Sequence, residues 1–197
     1  YRSYPMEDLL AEAEELGDIS ELIIVAQDTT RYGEDLYGEN KYVELLQRLT
    51  ALENIQSVRL LYCYPDVIGD ELIDEIARND KIVKYMDIPL QHSEDRVLKL
   101  MNRKGTREKY LNLFKKLREK IPTIAIRSTF ISGFPTETEE DFCDSLRIIE
   151  EAGFSQIHAF PYSPREGTNA YKKYKELSPA VKKDRLARVL ATGAKQK

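Results

Sequence analysis

The stretch "FISGFPTETEEDF", from Phe130 to Phe142, passes from an apolar run through a glycine and a proline into a segment rich in acids. The apolar run is typical of a buried strand, and Thr136 or Thr138 followed three residues later by an acid is typical of a capped helix start. The stretch therefore predicts a strand, a short turn and a helix. Gly133 at the strand end also permits a positive φ or the close approach of a ligand, so the turn is either a helix start alone or the wall of a pocket.

The same alternation of a short aliphatic run and a helical pattern recurs along the chain. The predicted strands are Leu22–Ala26, Val58–Cys63, Tyr85–Ile88, Ile124–Ile131 and Gln156–Phe160. Parallel strands need a crossover about as long as a helix, and five such units roughly thirty to forty residues apart favour a barrel over an open sheet. The chain begins with a helix pattern, Pro5–Leu16, that no strand precedes. The sequence thus predicts an α/β fold, a partial parallel (β/α) barrel whose first strand is missing from this chain.

The composition is that of one main globular domain, with 42% apolar and 32% charged residues among 197, which argues against disorder or a fibre. The longest apolar runs are far shorter than the ~20 residues that span a bilayer, so no membrane partner is expected. Cys63 and Cys143 are too few and too far apart for a disulfide framework, which favours a reducing cytoplasm. The net charge is −4, but residues 171–197 carry nine Lys/Arg and two Asp/Glu, so only this tail leans electrostatically toward nucleic acid.

In a parallel barrel the active site is built by the loops at the carboxyl ends of the strands. Here those loops read "QDTTRYG", "YPD", "PLQHSED", "SGFPTETEEDF" and "PYSPREGT". Turn and cap roles explain Asp28 and Ser93 when each is taken alone. Arg127 lies among apolar strand residues, so a guanidinium that points inward needs an anionic partner, either a ligand carboxylate or a buried protein acid.

The two histidines do not indicate a metal site, because neither has a second histidine or a cysteine nearby. His158 lies within a strand pattern and is expected in the core, whereas His92 either lines a pocket or makes a structural hydrogen bond. The sequence has no Walker-type phosphate loop, no G-x-S-x-G elbow and no HExxH motif, so it lacks the marks of three large enzyme classes.

Five motifs taken together resemble the methylthiotransferase family of radical S-adenosylmethionine (radical SAM) enzymes, in order and in spacing. They are "VAQDTTRYGEDLYGE", "RLLYCYPD", "YMDIPLQHSEDRVLKLMNR", "RSTFISGFPTETEEDF" and "HAFPYSPREGT". The similarity is greatest to members that methylthiolate an aspartyl side chain of a small-subunit ribosomal protein. It covers about Tyr1 to Thr168, which implies a partial barrel over residues 1–168 and a C-terminal helix with a basic linker or tail over 169–197.

The resemblance implies two cofactors, S-adenosylmethionine (SAM) and a [4Fe-4S] cluster. In the family, three cysteines of a C-x-x-x-C-x-x-C loop hold the cluster, SAM binds its unique iron, and an electron from a donor yields a 5′-deoxyadenosyl radical. This sequence lacks that loop, and it also lacks the N-terminal cluster domain and the C-terminal TRAM domain of the family. The expected partners of the intact enzyme are a ribosomal small-subunit protein or the ribosome in the cytoplasm, and this chain alone is expected to be inactive.

The resemblance also implies a SAM site, by motif position, and no catalytic residue. Gln27 and Asp28 would face the amino or methionyl end of SAM. Gln91 and Ser93 would lie near the ribose, and Arg127 would pair with the methionyl carboxylate. Gly133 and Phe134 would let the cofactor approach the strand, and Phe160, Tyr162 and Ser163 would border the adenine.

Three alternatives remain open at this point. One is a related tRNA methylthiotransferase, although such enzymes look less similar at "QDTTRYG". Another is an iron-independent βα-barrel enzyme for a small anionic substrate, with Arg127 as the anion clamp and Asp28 as acid or base. The third is a non-catalytic module that docks on a ribonucleoprotein through the barrel mouth and its basic tail, for which salt-dependent binding is expected. A solvated helix face with a loose tail is the simpler interpretation of that basic segment.

Overall fold

A computed structural model describes residues 1–196 of the chain. These residues form two compact units: Tyr1–Ile88 with Leu117–Ala125, and Pro89–Lys116 with the segment from Ile126 onward. Each unit combines parallel strands with helices, as the alternating pattern predicts. Among the described residues, no helix is both long enough and apolar enough to cross a membrane.

The first unit contains three parallel strands in the order β1, β2, β3. Its elements in chain order are α1 (Met6–Glu15), β1 (Leu22–Ile24), α2 (Glu34–Tyr37), α3 (Tyr42–Ala51), β2 (Val58–Leu60), a 3-10 turn (Pro65–Val67), α4 (Asp70–Arg78) and β3 (Ile82–Asp87). The apolar faces of α3 and α4 are buried at Leu46, Leu49, Ile73 and Ile76, each at most 4% exposed. Burying such a side chain contributes about 1.5–3 kcal/mol, so these two helices supply much of the stability of the unit.

The second unit contains the parallel pair β4 and β5, paired from Arg127 opposite Gln156 to Ser132 opposite Pro161. Its elements are α5 (Asp95–Leu100), α6 (Arg107–Lys120, which ends in the first unit), β4 (Ala125–Ser132), α7 (Glu139–Ala152), β5 (Gln156–Pro161), α8 (Asn169–Lys173) and α9 (Pro179–Ala194). Phe154 packs edge-on against Phe114 and Phe130, with ring centroids 5.1 and 6.1 Å apart. These aromatic contacts form the centre of the core of this unit.

Strand β4 is buried on one face only. Its residues alternate strictly between buried and half-buried, so Ser128 and Phe130 face the core while Thr129 and Ile131 face the other side. This pattern differs from the continuous burial expected of a strand covered on both faces. The half-buried face is the one that borders the cavity described below.

Two sequence-based expectations are wrong. His158 is not a core residue: it is half-buried on β5, with Nε2 3.1 Å from Nε2 of Gln156, because β5 has no fully buried position. The C-terminal segment is not merely a solvated helix, because α9 packs against β5 and α7 and buries Arg185, Val189, Thr192 and Gly193. The domain boundary between residues 168 and 169 stays a prediction.

Candidate functional site

A cavity of about 830 Å³ lies at the carboxyl ends of β4 and β5 in the second unit. Five of the ten predicted site residues line it: Gln91, Phe134, Phe160, Tyr162 and Ser163. Phe160 lies near the end of β5, and the other four come from the loops that follow β3, β4 and β5 in sequence, as the barrel rule predicts. The structure therefore gathers half of the predicted set at one place.

Gln91 is held at the cavity wall by its backbone. Its N–H donates to the carbonyl of Thr129 at 2.8 Å, and its own carbonyl accepts from the N–H of Ile131 at 2.8 Å. Its φ of 71° lies in the left-handed region, which costs a non-glycine residue about 1–3 kcal/mol. The two hydrogen bonds to β4 offset this strain, so the position of the Gln91 side chain is set by the strand.

The wall of the cavity combines aromatic and polar groups. The rings of Phe134 and Tyr162 meet edge-on at 5.3 Å with an interplanar angle of 79°, and Phe160 is 56% exposed. Thr129 and Ser163 add hydroxyl groups, and Gln91 adds an amide. Burial raises the pKa of Tyr162 above its ordinary value, so the phenol stays a neutral donor at physiological pH. Flat apolar surfaces with a few hydrogen-bonding groups suit a nucleoside.

Ser93 does not line this cavity, and it is not the helix cap that the sequence favoured. Its hydroxyl is buried and donates to Asp144 Oδ2 at 2.7 Å. The cap of α5 is Glu94, whose carboxylate accepts from the N–H of Val97 at 3.0 Å. The assignment of Ser93 to the ribose stays a prediction, and the position of Ser93 outside the cavity wall does not support it.

Arg127 and Gly133 are likewise absent from the residues that line the cavity. Arg127 is half-buried on the same face of β4 as Thr129 and Ile131, so its pairing with a methionyl carboxylate stays a prediction. Gly133 has a φ of 76°, and a Cβ there would lie 2.5 Å from Cγ of Lys182. Glycine is thus required by the backbone and by packing whether or not a ligand approaches.

The turn after β4 ends in the capping box that the sequence predicts, at Thr138 rather than Thr136. The Thr138 N–H donates to Asp141 Oδ2 at 2.7 Å, and the Asp141 N–H donates to Thr138 Oγ1 at 3.2 Å. Thr136 instead adopts a φ of 74° within the turn. The helix-start interpretation of this stretch is therefore confirmed, and one wall residue of the cavity, Phe134, lies in the same turn.

Gln27 and Asp28 line a separate cavity of about 350 Å³ in the first unit. Asp28 Oδ1 accepts from the N–H of Thr30 at 3.0 Å, which is the Asx turn expected from the sequence. Asp28 Oδ2 lies 3.2 Å from Nε of Arg31 and accepts no hydrogen bond from the described residues. The Asp28 side chain is 5% exposed, so its charge is balanced chiefly by Arg31.

The residues present do not fit an iron–sulfur cluster. Cys63 is fully buried in the first unit, and burial raises the pKa of its thiol to about 12, which disfavours the thiolate that iron requires. Cys143, in the second unit, lies on α7 beside Glu139. Within residues 1–196, no group of three or more His, Cys, Asp or Glu side chains is arranged to hold a metal ion.

The family model described as "Radical SAM superfamily" matches residues 1–149 of this chain. The chain belongs to the radical SAM superfamily. This membership confirms the predicted cofactors at the level of the family, SAM with a [4Fe-4S] cluster, and it argues against the iron-independent alternative.

Curated proteins show a more specific likeness. The chain is 46% identical over 99% of its length to the ribosomal protein uS12 methylthiotransferase RimO of Clostridium botulinum, of which it covers 44%. It is 50% identical over 92% of its length to the protein of the same name from Pelotomaculum thermopropionicum, of which it covers 41%. The chain thus spans less than half the length of these relatives.

Similar solved structures confirm the fold. Methylornithine synthase (PylB) matches 98% of this chain with a TM-score of 0.64 at 14% identity, and the chain covers 54% of it. Elp3 of Methanocaldococcus infernus matches 95% with a TM-score of 0.63 at 13% identity, and the chain covers 48% of it. The methyltransferase TsrM of Kitasatospora setae, solved with cobalamin and a [4Fe-4S] cluster, matches 79% at 0.55 and 16% identity, with 29% of it covered. These likenesses support the α/β partial barrel of the radical SAM type.

Sequence reasoning missed several residues of the larger cavity. They are Leu100, Met101, Asn102, Arg103, Thr129, Ile131, Pro161, Arg165, Thr168, Asn169 and Ala170. The run "LMNR" ends one motif of the radical SAM resemblance and "PREGT" ends another, so the motif ends could have indicated them. Thr129 could have been found from strand alternation, since it lies two residues after Arg127.

Proposed function

We propose that this chain is the SAM-binding core of a methylthiotransferase that modifies an aspartyl side chain of ribosomal protein uS12. The observation that carries the proposal is the identity of 44–50% over 92–99% of the chain with curated proteins named as uS12 methylthiotransferases. The names of those relatives favour a protein substrate over tRNA. A ribosomal substrate is met in the cytoplasm, where we propose that the protein acts.

The proposed site of the nucleoside part of SAM is the larger cavity. Its volume of about 830 Å³ lies within the range of roughly 300–1,000 Å³ that holds small ligands. Phe134 and Tyr162 would contact the adenine, and Gln91 and Ser163 would bond its polar edge or the ribose. These side chains bind and orient the cofactor, and their apolar parts exclude water from it.

The methionyl part of SAM is assigned to residues outside that cavity. Gln27 and Asp28 would bond the amino end and Arg127 the carboxylate, as the motif positions imply. When bound to a [4Fe-4S] cluster, SAM supplies the radical chemistry of the superfamily. Because the described residues do not fit a cluster, we assign its ligands to a part of the whole protein beyond this chain, and its N-terminal cluster and C-terminal TRAM domains with it.

The position of Arg165 supports the proposal that the substrate is acidic. It lines the larger cavity, and in the described part of the chain its guanidinium has neither an ion pair nor a side-chain hydrogen bond. A planar guanidinium binds a carboxylate through two parallel hydrogen bonds. We assign Arg165 to the carboxylate of the substrate aspartate.

The test is methylthio transfer by the whole protein, loaded with its cluster and supplied with SAM, a sulfur source and a reductant. A uS12 peptide with its aspartate is expected to gain the mass of one methylthio group in place of one hydrogen. A peptide with Ala at that position is the control, and tRNA is the competing substrate. Modification of tRNA but not of the peptide would overturn the proposal.

A further inference from the structure

Three buried side chains, none of which lines the larger cavity, form a network. His92 Nε2 lies 3.0 Å from Glu137 Oε1, and Arg185 Nη1 donates to Glu137 Oε2. The side chains of His92 and Glu137 are at most 1% exposed and that of Arg185 is 7% exposed. This network joins the loop after β3, the turn after β4 and helix α9.

The hydrogen bonds fix where the protons lie. The Glu94 N–H donates to Nδ1 of His92 at 3.0 Å, so that nitrogen carries no hydrogen. The ring hydrogen is therefore on Nε2 and is donated to Glu137. The other oxygen of Glu137 accepts from the N–H of Gly133 at 2.9 Å and from Arg185. Glu137 is thus a carboxylate that accepts from three separate donors, and within the network Arg185 alone balances its charge.

Helix α9 reaches the loops that carry Gln91, Phe134 and Tyr162, either through this network or beside it. Arg185 also donates to the backbone carbonyl of Glu137 at 3.0 Å, which anchors the turn that carries Phe134. Lys182, one turn earlier, donates to the carbonyl of Tyr162 at 3.1 Å and packs against Gly133. The loop that carries Gln91 is held through His92, its neighbour in sequence.

We propose that α9 is a positioning element of the cofactor cavity, with Arg185 and Lys182 as positioning residues that hold Gln91, Phe134 and Tyr162 in place. The inference rests on the proposed assignment of this cavity to SAM. Helix α9 lies beyond residues 1–149, which the family model matches, and within the segment 169–197, which is predicted from the sequence to be a C-terminal helix and a basic linker or tail.

The burial of the network argues for placement rather than for stability. Removing two charges from water is costly, so a buried ion pair adds little net stability compared with apolar side chains of the same size. What such a pair does well is fix geometry, because a guanidinium and a carboxylate bond only in a few orientations. Here the fixed geometry is that of two loops on the cavity wall.

The test is amide hydrogen exchange by NMR on the 197-residue chain, together with calorimetric binding of S-adenosylhomocysteine. In Arg185→Met, the amides of Gly133 and Gln91 are expected to exchange at least tenfold faster, and the affinity for S-adenosylhomocysteine is expected to fall at least fivefold. Arg188→Met is the matched control, because Arg188 lies on the same helix and pairs with Glu139 but not with Glu137. The amide of Phe130 in β4 reports on global unfolding.

A second variant tests the other contact. In Lys182→Met, the nitrogen-15 chemical shift of the Ser163 amide is expected to change. This amide shares a peptide unit with the Tyr162 carbonyl, which accepts the hydrogen bond from Lys182. The affinity for S-adenosylhomocysteine should fall here as well. Wild-type affinity and an unmoved Ser163 resonance would remove Lys182 from the positioning role.

The outcomes separate the inference from the function on which it rests. Equal acceleration at Phe130 and Gly133 in Arg185→Met would mean a merely structural role and would overturn the inference, as would wild-type exchange at Gly133. If Arg185→Met does not fold, the double variant Glu137→Gln/Arg185→Met replaces it in the exchange experiment, because the double variant leaves no buried carboxylate without its guanidinium partner. Wild-type exchange in that double variant overturns the inference, and faster exchange at Gly133 and Gln91 supports it. If the wild-type chain does not bind S-adenosylhomocysteine while the loops loosen as stated, the cavity assignment fails and the positioning role stands.

Discussion

The side chain of Lys182 occupies the space that a Cβ atom on Gly133 would need, with only 2.5 Å between that position and Lys182 Cγ. The two residues are 49 positions apart in sequence and belong to the turn after β4 and to α9. Packing between a helix and a glycine thus constrains a turn whose sequence already favours a helix start. Replacement of Gly133 is therefore expected to disturb both the turn after β4 and its packing against α9.

Gly133→Ala is expected to lower the free energy of unfolding by about 2–5 kcal/mol. The left-handed conformation costs an alanine about 1–2 kcal/mol, and crowding against Lys182 adds about 1–3 kcal/mol. Gly167→Ala is the matched control, because Gly167 has a φ of 85° but no atom within 4 Å of its Cβ position. Urea denaturation of both variants measures the difference, and equal losses would show that Lys182 moves aside without cost.

The capping box of α7 predicts a pH-dependent contribution to stability. Burial raises the pKa of Asp141, but hydrogen bonds from Thr138 and Arg96 outweigh it, so the pKa lies below its ordinary value. A lowered folded-state pKa stabilises the protein above the unfolded value near 4, and this contribution is lost as the pH falls through the folded value.

Asp141→Asn should therefore be less stable than the wild type at pH 7, and the difference should shrink below about pH 4. Thr138→Ala, which removes the other half of the box, is expected to cost about 1 kcal/mol. Thr123→Ala, at an exposed turn, is the control. Thermal unfolding across pH measures both effects, and a difference for Asp141→Asn that is as large at pH 3 as at pH 7 would contradict the assignment.

The two thiols are expected to differ in reactivity. With a pKa of about 12, only about one Cys63 thiol in ten thousand is ionised at pH 8, and the side chain is fully buried. Cys143 is partly accessible on α7. Iodoacetamide should therefore label the native chain once, at Cys143, and the denatured chain twice. Peptide mass spectrometry identifies the site, and rapid labelling of native Cys63 would count against its burial.

His92 should show the spectrum of a neutral ring with its hydrogen on Nε2. Nδ1 of His92 accepts a hydrogen bond from the Glu94 N–H, and Nε2 faces the Glu137 carboxylate. Only the tautomer with its hydrogen on Nε2 satisfies both bonds. Long-range nitrogen-15 spectra distinguish the two ring nitrogens, and half-exposed His158 serves as the internal reference. A hydrogen on Nδ1 of His92 would contradict the network.

In the whole protein, loaded with its cluster, the proposed function predicts that Arg165→Ala raises the KM for an aspartate-containing substrate peptide about tenfold or more, because a charge-assisted hydrogen bond contributes about 1.5–3 kcal/mol. The affinity for S-adenosylhomocysteine should not change if Arg165 meets the substrate rather than the cofactor. Lys172→Ala removes an exposed charge on α8 that does not line the cavity, and it serves as the control. An equal rise in KM for both variants would indicate a general charge effect.

Local patterns in the sequence predicted local structure well, because their partners are close in the chain. The capping box at Thr138 and Asp141 and the Asx turn at Asp28 both join residues two or three positions apart. The alternation of strands and helices along the chain also predicted that the residues after β4 and β5 would meet at the carboxyl ends of the strands. The larger cavity confirms that expectation for Phe134 and Tyr162.

Contacts between distant residues could not be predicted from the same patterns. Ser93 looks like a helix cap, but its partner is Asp144, 51 positions away, and Glu94 takes the cap instead. The basic residues of α9 look like a solvated face, although Arg185 meets a carboxylate 48 positions earlier. In both cases the sequence shows a polar side chain and gives no information on which buried partner the tertiary fold supplies.

The backbone of Gln91 has a further consequence for experiments on this chain. Because its N–H and C=O are both bonded to β4, Gln91 belongs to the sheet ladder while its side chain belongs to the cavity wall. A ligand that contacts the Gln91 side chain lies close to both backbone bonds and is expected to change the chemical shifts of the amides of Gln91 and Ile131. The amide resonances of Gln91 and Ile131 are built-in reporters of occupancy, readable without any label on the ligand.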